Sequence, residues 1–101
     1  PVNRFAFEGF LPRKKGRKKL IEELAKEKRT IVLFESSHRI AKTLNELYQV
    51  MGARKAVLAR ELTKIHEEVI RGTLENLAAI TDEQKLKGEI TLVIAGVPRD
   101  L

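Results

Sequence analysis

The 101-residue sequence contains no cysteine. Disulfide frameworks, thiolate metal sites and thiol catalysis are therefore excluded, and the chain suits a reducing cytoplasm. No apolar run approaches the ~20 residues needed to span a membrane, and no secretory signal pattern is present. A glycine-rich phosphate or dinucleotide loop is also missing. With only two histidines, a zinc site built by this chain is not expected. His66-Glu67-Glu68 begins like a zinc-binding helix, but the position where a second imidazole must stand on the same face is Ile70. Ser36 or Ser37 with His38 makes no catalytic triad, because adjacent side chains at a helix start do not face each other. The chain starts Pro1-Val2 without a methionine and is expected to be a piece of a longer protein.

What is abundant is charge, and it is unevenly placed. Lys and Arg total 20 against 14 Asp and Glu, a formal net charge of +6. Six of the basic residues fall within seven positions: Arg13, Lys14, Lys15, Arg17, Lys18 and Lys19, with only Gly16 between them. The remainder of the domain is formally neutral. A cluster this dense attracts polyanions through Coulomb attraction and counterion release. RNA, DNA and anionic membrane surfaces all qualify, as does a merely solvated loop.

The hydrophobic pattern predicts one α/β domain with a mixed sheet and flanking helices, in the order β-α-β-α-β-β-α-β. Phe5 to Phe10 alternates phenylalanine with small or polar residues and reads as a strand. A helix follows from about Gly16 to Lys28, with Leu20, Ile21, Leu24 and Ala25 on one face. Thr30 to Phe34 is a short buried strand. Ser36 and Ser37 are N-cap types for a helix running to about Met51, stopped by Gly52. Lys55 to Arg60 is a second buried strand. Ile65 to Arg71 is a half-exposed strand of ambiguous facing. Thr73 caps a short helix through Leu74, Leu77 and Ala78. Thr81 with Gln84 has capping-box spacing for a further short turn. Gly88 to Ala95 is the clearest strand, closed by Gly96-Val97-Pro98.

Two charged clusters follow buried strands, where ligands bind in open α/β sheets. Glu35-Ser36-Ser37-His38-Arg39 opens a helix whose free N–H groups suit an anion; simple helix capping is the alternative. Arg60-Glu61-Leu62-Thr63-Lys64 follows the next buried strand, where local ion pairs are the alternative. If those strands are adjacent, the clusters share a rim. Phe5, Phe7 and Phe10 flank the basic loop. Phe5 and Phe7 are expected to pack the core from an edge strand, the other reading for these aromatics being stacking on bases.

Four blocks taken in order resemble a known family. They are Phe7-Glu8-Gly9-Phe10-Leu11-Pro12-Arg13-Lys14-Lys15-Gly16-Arg17, then Phe34-Glu35-Ser36-Ser37-His38-Arg39-Ile40. Ala59-Arg60-Glu61-Leu62-Thr63-Lys64 with His66-Glu67-Glu68 and Arg71-Gly72-Thr73-Leu74 form the third, and Gly88-Glu89 with Leu92-Val93-Ile94-Ala95-Gly96 the fourth. Together they resemble the C-terminal half of the ribosomal RNA small-subunit methyltransferase I family, in the tetrapyrrole methylase superfamily. Ser37 departs from the proline usual there, and either residue suits a first helical turn.

That resemblance implies a two-domain cytoplasmic enzyme, of which residues 1–101 are the C-terminal domain and the N-terminal methylase domain is absent. It implies S-adenosylmethionine in the interdomain cleft and transfer to a cytidine 2′-hydroxyl of 16S ribosomal RNA in the small subunit. It also implies a homodimer, and an isolated domain without activity. Glu35, Ser36, Glu61, Leu62 and Thr63 are the implied cofactor contacts, with Gly96 and Pro98 toward the adenine. Glu35, His38, Arg39 and Lys64 are the candidates for assisting the hydroxyl, and Arg13, Lys14, Lys15, Arg17, Lys18 and Lys19 for gripping RNA. Two further readings are a tetrapyrrole methyltransferase domain and a non-catalytic nucleic-acid-binding module.

Overall fold

A computed structural model describes residues 4–61 and 67–98. Its elements run β1 (Phe5–Phe10), α1 (Arg17–Leu24), β2 (Thr30–Ser36), α2 (Ile40–Met51), β3 (Lys55–Glu61), β4 (Glu67–Thr73), α3 (Leu74–Glu83) and β5 (Glu89–Ile94). This is the order expected from the hydrophobic pattern. The five strands form one mixed sheet, ordered β1-β2-β5-β3-β4. β1 and β2 are parallel, and every other neighbouring pair is antiparallel.

Strand alternation divides the sheet into two unlike faces. Ile31, Leu33, Leu58, Ile90, Leu92 and Ile94 are fully buried against Ile21, Leu24, Leu44, Leu47, Leu74 and Leu77 of the helices. Cross-strand register puts the intervening residues together on the opposite face. Phe7, Val32, Val93, Val57 and Arg71 form one row across it, and Phe10, Phe34, Thr91, Ala59 and Val69 the next. No helix among the described residues covers this second face.

Phe7 and Phe10 are three residues apart, so a regular strand would point them to opposite faces. A bulge prevents this. The β1–β2 register slips one residue between Phe7 and Gly9, and Gly9 takes φ 65°. Only glycine adopts that conformation at low cost. Phe5, Phe7 and Phe10 therefore all face outward and are 58–68% exposed. This corrects the expectation that Phe5 and Phe7 pack the core: Ala6 and Gly9 take the inward positions instead.

Several local expectations are also corrected. Ser36 still pairs with Glu89 in the sheet, and a turn over residues 37–39 precedes α2. Arg39 therefore occupies the N-cap position, with no side-chain cap. Thr81 lies inside α3, where its hydroxyl donates to the Leu77 and Ala78 carbonyls. The capping box belongs to Thr73 and Asn76, so the cap expected of Thr73 is present. In β4, Ile70 packs against the core while Val69 is exposed on the open face, which settles that strand's facing.

Candidate functional site: a strand-end rim beside a basic turn

β2 and β3 are not neighbours as their run lengths suggested; β5 is inserted between them. The two charged clusters nevertheless share one end of the sheet. Ser36 pairs with Glu89, Glu89 with Glu61, and Glu61 with Glu67. Glu61, Glu67 and Glu89 are exposed, so this end presents carboxylates. Beside them lies a groove of about 420 Å³ between Phe10 and Phe34 on one side and Glu35, Ser36 and Glu89 on the other. That volume is within the range of small-molecule sites.

Glu35 is only 7% exposed and is fully committed. One oxygen accepts the Ser36 backbone N–H at 2.7 Å and the other accepts the Thr43 hydroxyl at 2.7 Å. Thr43 in turn accepts from Arg17 Nη2 at 2.9 Å. The same Arg17 nitrogen reaches Glu46 Oε1 at 2.6 Å, and Arg17 Nη1 donates to the Pro12 carbonyl at 2.9 Å. An unbroken buried chain thus runs from the basic turn to the rim: Pro12, Arg17, Thr43, Glu35, Ser36. Among the described residues, no buried side-chain polar atom lacks a partner, so the charges are compensated as burial requires.

This chain changes the reading of Arg17. At 6% exposure it does not face solvent with the other cations of its cluster. It closes the turn instead, holding the carbonyl at one end and starting α1 at the other. Arg13, Lys14, Lys15, Lys18 and Lys19 are exposed around it. The six cations look equivalent in sequence, because charge does not reveal facing. Arg17's missed partners, Thr43 and Glu46, sit at helical spacing in α2, but a threonine or glutamate on a helix signals nothing by itself.

The other candidates divide. His38 is exposed on the turn before α2, in a separate groove with Thr81, Asp82 and Lys87. Arg39 is half-buried. Arg60 is paired across the strands, its Nε donating to Glu68 at 2.6 Å. Leu62, Thr63 and Lys64 lie outside the described residues, as does His66. Gly96 and Pro98 follow β5 at its far end, seven or more residues from Glu89, which is ~23 Å along an extended strand. The structure does not bring them to the carboxylate rim. Gly96 has a packing reason: a Cβ there would sit 2.0 Å from the Lys28 carbonyl oxygen, because the 27–29 backbone crosses against it. Val97 N–H donates to the Glu27 carbonyl at 2.7 Å in the same crossing. Arg54, whose pKa burial lowers, braces this end through the Ala25 carbonyl at 3.0 Å.

Among the described residues no helix is long and apolar enough to cross a membrane, and no cluster suits a metal ion. The sequence matches the tetrapyrrole (corrin/porphyrin) methylases over residues 2–78. It is 44% identical over 96 residues to the ribosomal RNA small subunit methyltransferase I of Thermotoga maritima, covering 95% of this chain and 43% of that protein. Identity to the Mycobacterium tuberculosis protein of the same name is 52% over 98 residues, covering 95% of this chain and 34% of that protein. The chain thus spans about two-fifths or less of these relatives. In fold it is similar to a cobalt precorrin-4 methyltransferase, a cobalamin biosynthetic enzyme, with TM-score 0.64 and 21% identity over 90% of this chain and 39% of that one. A uroporphyrin III C-methyltransferase from Thermus thermophilus gives TM-score 0.62 and 16% identity, over 92% and 40%. The chain belongs to the tetrapyrrole (corrin/porphyrin) methylase family.

Proposed function

We propose that this domain is part of a cytoplasmic S-adenosylmethionine-dependent methyltransferase that modifies a cytidine 2′-hydroxyl in 16S ribosomal RNA. The observation carrying this reading is the 44–52% identity, over 95% of the chain, to proteins named for small-subunit ribosomal RNA methylation. The basic turn supports it, since five exposed cations suit a polyanion. A small acidic macrocycle needs no such cluster, so the tetrapyrrole reading is the weaker one. A homodimer and an N-terminal methylase domain complete the proposed enzyme.

The rim's donor set fits the cofactor. S-adenosylmethionine carries a sulfonium and an ammonium, and Glu61 and Glu89 offer carboxylates to cations and to ribose hydroxyls. Ser36 adds a hydroxyl, and Leu62 and Thr63 follow Glu61 in the sequence. When bound, the cofactor supplies an electrophilic methyl group on sulfur. This domain's part is to position its reactants, which is a large share of any displacement. Glu35 acts by holding the Ser36 turn rather than as a free base, because both its oxygens are committed. His38 and Lys64 have the chemistry to accept the ribose proton, and Arg39 the charge to favour the alkoxide.

The test incubates the full-length protein with methyl-labelled S-adenosylmethionine and either 30S subunits or a free tetrapyrrole. Label on the 16S RNA is expected. Label on the macrocycle alone would overturn the proposal, and binding of RNA without any transfer would favour a non-catalytic module.

A further inference from the structure

All four phenylalanines of the sequence gather at one edge of the sheet. Phe34 packs edge-on against Phe7 with ring centroids 5.2 Å apart, and against Phe10 at 5.6 Å. Phe34 is half-buried, while Phe7 and Phe10 are 59% and 68% exposed. Large aromatics held in place yet open to solvent are unusual in a domain that has a core to put them in. The Gly9 bulge is what turns Phe10 to the same side as Phe7. A regular strand would have buried one of them. The backbone therefore departs from regularity in a way that keeps both rings outside.

β1 then runs directly into the basic turn. Phe10 and Arg13 are three residues apart, at most ~11 Å between Cα atoms. Buried Leu11 and the bond from Arg17 to the Pro12 carbonyl hold that short connection in place. Exposed rings and exposed cations are thus fixed at one place: Phe7 and Phe10 on the sheet edge, Arg13, Lys14 and Lys15 on the turn beyond it. Rings of this kind stack on unpaired bases, while neighbouring cations follow the phosphates between them.

We infer that Phe7 and Phe10 form a base-stacking platform for single-stranded RNA, with Arg13, Lys14 and Lys15 gripping the adjoining phosphates. This deepens the proposed function and rests on RNA being the substrate. Charge favours RNA over a protein on this edge: Arg13, Lys14 and Lys15 stand next to the rings and outnumber the exposed carboxylates there, Glu8 on β1 and Glu89 in the groove beside Phe10. Stacking requires bases that are already unpaired. The platform therefore takes a loop or an opened strand and passes over a duplex, where bases are hidden and only phosphates remain readable.

The test measures binding of the full-length protein to a fluorescent single-stranded oligoribonucleotide, without cofactor, by anisotropy across a salt series. Phe10→Ala and Phe10→Leu are each expected to weaken binding roughly 5- to 100-fold, with the salt slope unchanged. Phe10→Trp is expected to bind at least as tightly as the parent, which separates stacking from apolar contact and from misfolding. Lys14→Ala/Lys15→Ala is expected to flatten the slope by about 1.4, two phosphates at ~0.7 each for single strands. A fully paired RNA of equal length should not distinguish the phenylalanine variants. Parent-like binding by Phe10→Leu would overturn the platform. So would a change in sedimentation on substituting Phe7 or Phe10, which would mean that a protein surface covers this edge. Because no methyl transfer is read, loss of the methyltransferase reading and loss of the platform give different results.

Discussion

Replacing Thr43 by valine tests whether the buried chain between turn and rim holds the domain together. The substitution keeps shape and removes one hydroxyl from a site 1% exposed to solvent. Two hydrogen bonds to charged groups disappear: the one accepted from Arg17 Nη2 at 2.9 Å and the one donated to Glu35 Oε2 at 2.7 Å. Arg17 Nη2 keeps Glu46, so its loss is partial. Glu35 Oε2 is left buried without that donor, and an unsatisfied buried acceptor costs about 1–3 kcal/mol, toward the upper end for a carboxylate. The valine recovers part of this through its extra methyl, about 0.8 kcal/mol. A net loss of about 2 kcal/mol follows, equivalent to a fall of roughly 8–16 °C in melting temperature for a domain of this size. Thr43→Ser keeps the hydroxyl and should lose about 1 kcal/mol through the missing methyl alone. Thermal melts of the parent and both variants decide the matter. A Thr43→Val protein melting within 2 °C of the parent, or above Thr43→Ser, would refute the claim that this hydroxyl carries the link.

Other perturbations read different parts of the structure. Gly96→Ala forces a Cβ toward the Lys28 carbonyl, a backbone atom that cannot step aside, and should lower stability by about 2–4 kcal/mol in urea unfolding. Glu27 is held down at about 2 by the hydrogen bonds and charge of Arg29, against a usual 4.5. A depressed carboxyl stabilises above its unfolded pKa, so this contribution should be complete above pH 4.5 and lost as pH falls toward 2. Denaturation across that range should show the loss in the parent and not in Glu27→Gln. The Tyr48 hydroxyl donates to Glu75 at 2.9 Å, linking α2 to α3, and its pKa is raised by that bond. A raised phenol stabilises below its unfolded pKa of 10.0, so this link should fail as pH rises past 10, and Tyr48→Phe should remove that alkaline dependence.

Much of the fold could be read from the pattern of apolar residues. β2 and β5 are near-continuous apolar runs because they are interior strands of the sheet, and the α2 helix repeats Ile40, Leu44 and Leu47 on one face against them. Local capping was read less well. Ser36 and Ser37 have the right chemistry, yet the sheet kept Ser36 and a turn intervened; tertiary pairing overrode local preference. The β1 phenylalanines looked like core because large aromatics usually are. The single extra residue of a bulge, invisible to a period-of-two reading, reversed their facing. At the candidate site, the strand ends at Ser36 and Glu61 lie at one end of the sheet, both paired with Glu89. The order of strands did not follow from run lengths, so Glu89, which joins those two ends, was overlooked. Arg17 was legible as a charge but not as a buried one, since its partners are distant in sequence.

The measurement bearing most directly on the proposed activity is where the methyl group goes. After reaction of the full-length protein with isotopically labelled S-adenosylmethionine and 30S subunits, the 16S RNA is digested to nucleosides and analysed by mass spectrometry. A cytidine labelled on its ribose is the predicted product, and its yield should fall when Lys14 and Lys15 become alanine. Label on a base, or label on a tetrapyrrole with none on RNA, would contradict the proposal.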